Sequence, residues 1–326
     1  MNTKHFLLRT KHVVLVALSL LILGSCSSFD GIFNRKNVVV LALLKPENTY
    51  EKQIAQGLKK RCQKMGYTLE ITYAPADGGS NGQIQLMQAV RSDLFAGVIL
   101  DPMMAEARAE SSARGTAFET AVRQLCELLP VVLVDTPMDE ALPYKSFVRP
   151  QYEQASQKMA FRMLNLEPAL TKVALLAQGN TPALTERYAA FQTFMSGFGV
   201  STTLLSVPVN TLTLTQLNAL SLQGYTCLAS LDPQTTERLL EITDATSPFR
   251  LYGTGTSTPI CDAVRDGRLV LSQAFDTIGL GAAAMDAFQA YLISHETIRD
   301  LFTVPFLLES SNLDSEEALY YRNPIE

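Results

Sequence analysis

The 326-residue chain is 47% apolar, 18% charged and 8% aromatic, with a formal charge of −5. That profile excludes disordered, collagenous and multi-span membrane chains and leaves room for two lobes, each with its own core. Its histidines, His5, His12 and His295, are too few for a multi-histidine zinc centre, and a histidine-assisted hydrolase would have to be built around His295.

The chain begins with a basic segment, Lys4, Arg9 and Lys11, followed by an apolar run at 13–23 and small residues. The run is too short for a comfortable membrane span and reads as a secretory signal over residues 1–25. Leu23-Gly24-Ser25-Cys26 resembles the bacterial lipobox, which makes Cys26 the expected site of lipidation and 26–36 a polar tether. Export with a lipid anchor to a cell membrane, facing the periplasm or the cell surface, follows as the expected localisation. Loss of the leader removes three cations and no anions, so the mature charge is about −8. An acidic body is repelled by phosphate backbones, and no nucleic-acid partner is expected. Cys62, Cys126, Cys227 and Cys261 lack CxxC spacing, which leaves buried free thiols or a Cys227–Cys261 disulfide.

Past the tether, strand-like and helix-like periods alternate. Residues 37–44, NVVVLALL, form a continuous apolar run expected of a strand buried on both faces. Residues 49–65 place Ile54, Leu58, Cys62 and Met65 at helical spacing, with Gly66 as a stop. Further strands are expected at 68–73, 97–100, 131–134, 172–176, 202–207, 227–229, 250–253 and 269–273. Helices are expected at 82–93, 104–128, 152–164, 183–196, 214–222, 233–243, 259–266 and 278–293. This alternation predicts an α/β fold of two doubly wound, Rossmann-like lobes with parallel sheets and ligands at the carboxyl ends of the strands.

In order, VVVLALL, GVILDP, VVLVD and RLYGTGTSTPICDAVRDGRLVLSQAFDTIGLGA make the chain resemble the type I periplasmic binding proteins. More narrowly, it is similar to the ribose-binding-like substrate-binding proteins of ABC transporters. The resemblance covers most of 37–309, and its most specific part is AVRDGRL followed by QAFDTIG. It implies two lobes joined by a three-segment hinge, with 37–147 plus 275–299 in the first and 148–274 plus 300–326 in the second. It also implies a cleft that closes on a small-molecule ligand, carbohydrate in much of the family, and an ABC permease as partner. A membrane sensor kinase, or a structural lipoprotein that has lost transport, is the alternative.

The resemblance places ligand contacts at Asn48, Tyr50 and Glu51 after the first strand, at Asp135 ending VVLVD, and at Gln273. The family's arginine beside that aspartate is Thr136 here, and its arginine on the first second-lobe helix falls on Thr185. Its later aspartate is Gly255, and its asparagine falls on Leu231, beside Asp232. Asp232 precedes Pro233 and also reads as a helix N-cap, whereas Asp101, before Pro102, reads as a turn residue. With no tryptophan, stacking on a flat ligand would fall to Tyr50, Phe147 or Phe275. No cofactor, metal or catalytic residue is expected. Gly279-Leu-Gly281-Ala-Ala-Ala284 matches a dinucleotide fingerprint but lies inside a helical run, away from the first strand-to-helix turn.

Overall fold

The computed structural model describes residues 38–322 apart from 180 and 245. The expected leader, Cys26 and the tether lie outside the described residues. The first apolar run forms β1 (Val39–Leu44). Its lack of alternation has a direct cause, since Leu41 and Leu43 enter a core on one face of the sheet while Val40, Ala42 and Leu44 enter another on the opposite face.

Helix α1 (Thr49–Met65) starts where the Asn48 side chain accepts the Glu51 N–H at 3.0 Å. It stops where Gly66, at φ 73°, returns its N–H to the last turn. The first lobe continues through β2 (Thr68–Tyr73), α2 (Gly79–Gln88), β3 (Gly97–Leu100), α3 (Met104–Glu110), α4 (Ser112–Leu128), β4 (Val131–Val134) and β5 (Ser146–Pro150). The second comprises α5 (Tyr152–Leu166), β6 (Lys172–Ala177), α6 (Pro182–Ser196), β7 (Ser201–Ser206), α7 (Leu214–Leu222), β8 (Cys227–Ser230), α8 (Pro233–Ile242), β9 (Arg250–Thr254), α9 (Thr258–Arg265) and β10 (Leu271–Ala274). The chain then passes through α10 (Thr277–Ser294), β11 (Ile298–Thr303), β12 (Phe306–Leu308) and α11 (Glu316–Arg322).

Two six-stranded sheets result, ordered β11-β5-β4-β3-β1-β2 and β12-β10-β9-β8-β6-β7. Every pairing is parallel except that of β12 with β10 at the edge of the second sheet. The chain changes sheets three times, between Pro150 and α5, between Ala274 and α10, and between Thr303 and Phe306. Sheet membership thus extends the first lobe to Pro150 and Thr303, a few residues past the boundaries drawn from sequence. Helix α10 returns to the first lobe against α1, and the approach is close: a Cβ on Gly57 would overlap the Ile278 carbonyl, and one on Gly281 the Ile54 carbonyl. The glycine string that mimics a dinucleotide motif is therefore a helix-packing surface.

Strands β5, β11 and β12, helix α11 and the division of 104–128 were not visible in the periodicity. Ser111 interrupts that helical run in extended conformation and caps α4, accepting the Arg114 N–H at 3.1 Å. The C-terminal helix lies over two of the crossings. Tyr320 Oη donates to Asp276 at 3.0 Å and Tyr321 Oη to the Val304 carbonyl at 3.0 Å. Cys62, Cys126, Cys227 and Cys261 are buried free thiols. Among the described residues no helix is long and apolar enough to cross a membrane.

Candidate functional site

Parallel strands end at a common edge, so short loops after β1, β3 and β4 bring Lys45, Asp101 and Asp135 together beside the first turn of α1. Asp135 sits at φ 61°, a left-handed conformation uncommon for a residue with a Cβ and typical of functional turns. Its Oδ1 accepts two phenols, Tyr50 Oη at 2.8 Å from α1 and Tyr152 Oη at 2.5 Å from α5 of the second lobe. Burial, then the charge of Asp135, raises both phenols well above their usual range, so both remain donors. The carboxyl edges of the two sheets are thereby joined through one carboxylate.

Across from it, Phe275 meets Tyr152 edge-on with centroids 5.5 Å apart, and the Arg187 guanidinium lies 4.9 Å from the Phe275 centroid. Arg187 is 4% exposed and donates to the Leu231 carbonyl, to Thr254 Oγ1 at 2.9 Å and to Gln273 Oε1 at 2.6 Å. Burial lowers its pKa to about 10, which leaves it charged at neutral pH. Gln273 spends its other end on the Ala155 carbonyl, with Nε2 donating at 2.5 Å. Asp232 is also fully engaged, accepting from Thr235 N and Oγ1 at 2.8 Å each and from the Gln178 N–H at 2.8 Å.

The first-lobe wall is different. Lys45 Nζ donates to Thr136 Oγ1 at 2.7 Å and lies 3.5 Å from Asp101 and 3.8 Å from Glu106. Burial alone would lower its pKa, but Asp101, Asp135, Glu106 and Glu51 more than offset this, and the net shift is upward. Asp101 is fully buried and Glu51 is 2% exposed. Asp101 is reached by Lys45 only at 3.5 Å and by the Thr136 hydroxyl, and Glu51 Oε2 accepts no hydrogen bond from an N–H or O–H donor. The two carboxyls instead lie within hydrogen-bonding reach of each other. Burial first, and then Asp101, pushes Glu51 up to about 10; burial, against the pull of Lys45, pushes Asp101 up to about 7. Both shifts run toward the protonated form, so the pair is biased toward keeping a proton between its two acids. Behind it Gln83 fixes the loop, donating to the Asp101 carbonyl at 2.8 Å and accepting the Met103 N–H at 2.9 Å.

A cavity of about 270 Å³ is lined by Met104, Ala105, Arg108, Pro137, Met138, Asp139 and, from the second lobe, Pro182; Lys45, Glu51, Asp101 and Glu106 do not line it. Among the sequence-derived candidates, Tyr50, Glu51, Asp135 and Gln273 lie in the interlobe network, while Asn48 and Asp232 act as N-caps, Asn48 from an exposed position. His295 is exposed at the C-cap of α10, against Tyr291. Sequence reasoning missed Lys45, Arg187 and the burial of Asp101. Arg187 carried a signal, because it shares the buried stripe of α6 with Phe191 and Met195 at four-residue spacing. Lys45 stands beside Thr136, where the resemblance led one to expect an arginine, and Arg187 lies two residues past Thr185, the other missing arginine.

No protein-family model and no curated protein matches the sequence. Solved structures do match. An ABC transporter solute-binding protein from Burkholderia graminis, in complex with D-arabinose, superposes with a TM-score of 0.72 at 13% identity, over 87% of this chain and 99% of that one. A periplasmic ribose ABC transporter protein from Conexibacter woesei gives 0.71 at 16% identity, over 85% and 93%. A LacI-type transcriptional regulator from Bacteroides fragilis gives 0.68 at 15% identity, over 85% and 99%. Likeness at this level of identity is likeness of fold. Two parallel-sheet lobes, three crossings and a polar interlobe edge give this chain the type I periplasmic binding protein fold.

Proposed function

We propose that the protein is a lipid-anchored extracytoplasmic solute-binding protein whose lobes close on a small polar, sugar-like ligand and deliver it to an ABC permease. One observation carries the reading: polar groups from the carboxyl edges of both sheets converge around Asp135, Tyr152, Arg187 and Gln273. Crevices at such edges are where open α/β sheets take ligands. Contacts supplied by both lobes favour the closed arrangement, and only that difference in affinity shifts the population. The sugar complexes among the similar structures support a carbohydrate-like ligand. Cys26, directly after the apolar run 13–23, would carry the lipid, with 26–36 as tether.

A second reading, a sensory or structural lipoprotein that has lost transport, is favoured by the engagement of Asp135 and Gln273 with the protein's own groups. Small-angle scattering and calorimetry on the purified full chain separate the two. Titration with pentoses, hexoses and their amino-substituted forms is expected to give saturable binding and a smaller radius of gyration. Absence of both across the set would overturn the transport reading. Cys26→Ser is expected to abolish fatty-acid labelling in cells, and an unlabelled wild type would overturn the anchor.

A further inference from the structure

We infer, on the basis of the solute-binding reading, that the ligand carries a protonated amine, received by the paired carboxyls of Glu51 and Asp101 on the first-lobe wall. Four carboxyls, those of Glu51, Asp101, Glu106 and Asp135, surround a single cation, Lys45. Asp135 is occupied by two phenols and Lys45 reaches Asp101 only at 3.5 Å. Asp101, with no exposed surface, has only Lys45 at that distance and the Thr136 hydroxyl nearby, and Glu51, 2% exposed, leaves Oε2 with no hydrogen-bond donor. Buried carboxyl oxygens are ordinarily paired, and leaving them unmatched is costly.

What the pair lacks is charge more than dipoles. A neutral hydroxyl can donate to one oxygen, but it leaves the shared proton where it is. An ammonium supplies up to three donors and a full positive charge, so it can take the place of that proton. Written out, the ammonium binds between the two carboxylates and the proton held on Glu51 passes to solvent, so that charge on the wall is conserved. Tyr50, beside Glu51 on α1, stays a neutral donor through the exchange, and Lys45 keeps its charge. The position agrees with the fold, because both carboxyls stand at the carboxyl edge of the first sheet, where Asp135 meets Tyr152 of the second lobe.

Calorimetry on the full chain at about pH 8, where an aliphatic amine is still protonated, tests this with matched probes: putrescine against butanediol, and glucamine against sorbitol, with D-ribose as a neutral sugar. The expected result is that at least one amine binds tenfold or more tightly than its neutral counterpart. In two buffers of different ionisation enthalpy that binding should release about one proton. Asp101→Asn and Glu51→Gln, which keep the shape of the wall, should each weaken amine binding at least tenfold and abolish the proton release. Circular dichroism melts would confirm that both variants fold. Neutral probes binding as tightly as the amines, with no proton released, would overturn the inference and leave the solute-binding reading standing. If no probe of either kind binds, the inference falls, and the absence of compaction with the sugar set would show that the solute-binding reading falls with it.

Discussion

The two edges that meet in the cleft use the same strand-end geometry in opposite ways. On the second lobe most of the buried polar groups have partners, although Arg187 Nε is buried without one. Arg187 ties Leu231, Thr254 and Gln273 together, Asp232 satisfies the start of α8, and Thr236 Oγ1 joins Ser230 to the β9 backbone. On the first lobe two carboxyls are buried around one lysine, and burial biases both toward the protonated form. A network that is nearly complete is rigid and presents a fixed surface. A buried one with fewer partners stores the cost of what it lacks, and that cost is what a ligand can relieve.

The comparison breaks most sharply at Arg187. Arg187→Met keeps the bulk but orphans three buried acceptors, and a loss of about 3 kcal/mol is expected from urea unfolding of the full chain. A loss below about 1 kcal/mol would mean that the second edge is not the interlocked one. Asp101→Asn should act in the opposite direction. A carboxyl whose folded pKa is raised contributes its stability below the unfolded pKa and loses it as pH rises toward the folded value. For Asp101 that window runs from the ordinary carboxylate range to about 7, and for Glu51 up to about 10. Wild-type stability should therefore fall between about pH 5 and about pH 8, and Asp101→Asn should flatten the slope and gain about 1 to 2 kcal/mol at the upper end. Chemical denaturation across that range measures it; a destabilised, equally pH-dependent variant would contradict the account. The smallest effect belongs to the bridge between the edges. Tyr50→Phe and Tyr152→Phe should each cost about 1 kcal/mol, and because both phenols share Asp135 Oδ1 the double variant should not be additive. Additive losses would show that the carboxylate couples nothing.

Most of the fold was legible because a strand buried on two faces is written as an unbroken apolar run and a covering helix as a stripe. The elements that escaped are short or locally unlike their type. β5 carries Arg149 and Pro150, and β12 has three residues at a sheet edge. In the site, strand ends and family resemblance led to Tyr50, Glu51, Asp135 and Gln273. Aspartate before proline suggested a solvated turn at Asp101, since spacing cannot tell an exposed turn from one held under the sheet edge by Gln83. Lys45 was hidden for a similar reason. Its position after β1 says little until Thr136 and Asp101 are seen to close around it from β4 and β3.

The claim that the first edge is short of one positive charge can be measured without any ligand. Carbon-13 NMR of the side-chain carboxyls in the full chain, titrated from acid to alkaline pH and assigned with Asp101→Asn and Glu51→Gln, reads the two groups directly. The account predicts that Asp101 titrates at about 7 and that Glu51 keeps its proton well past neutrality, toward about 10. Midpoints for both near about 4, as in an unperturbed carboxylate, would contradict it.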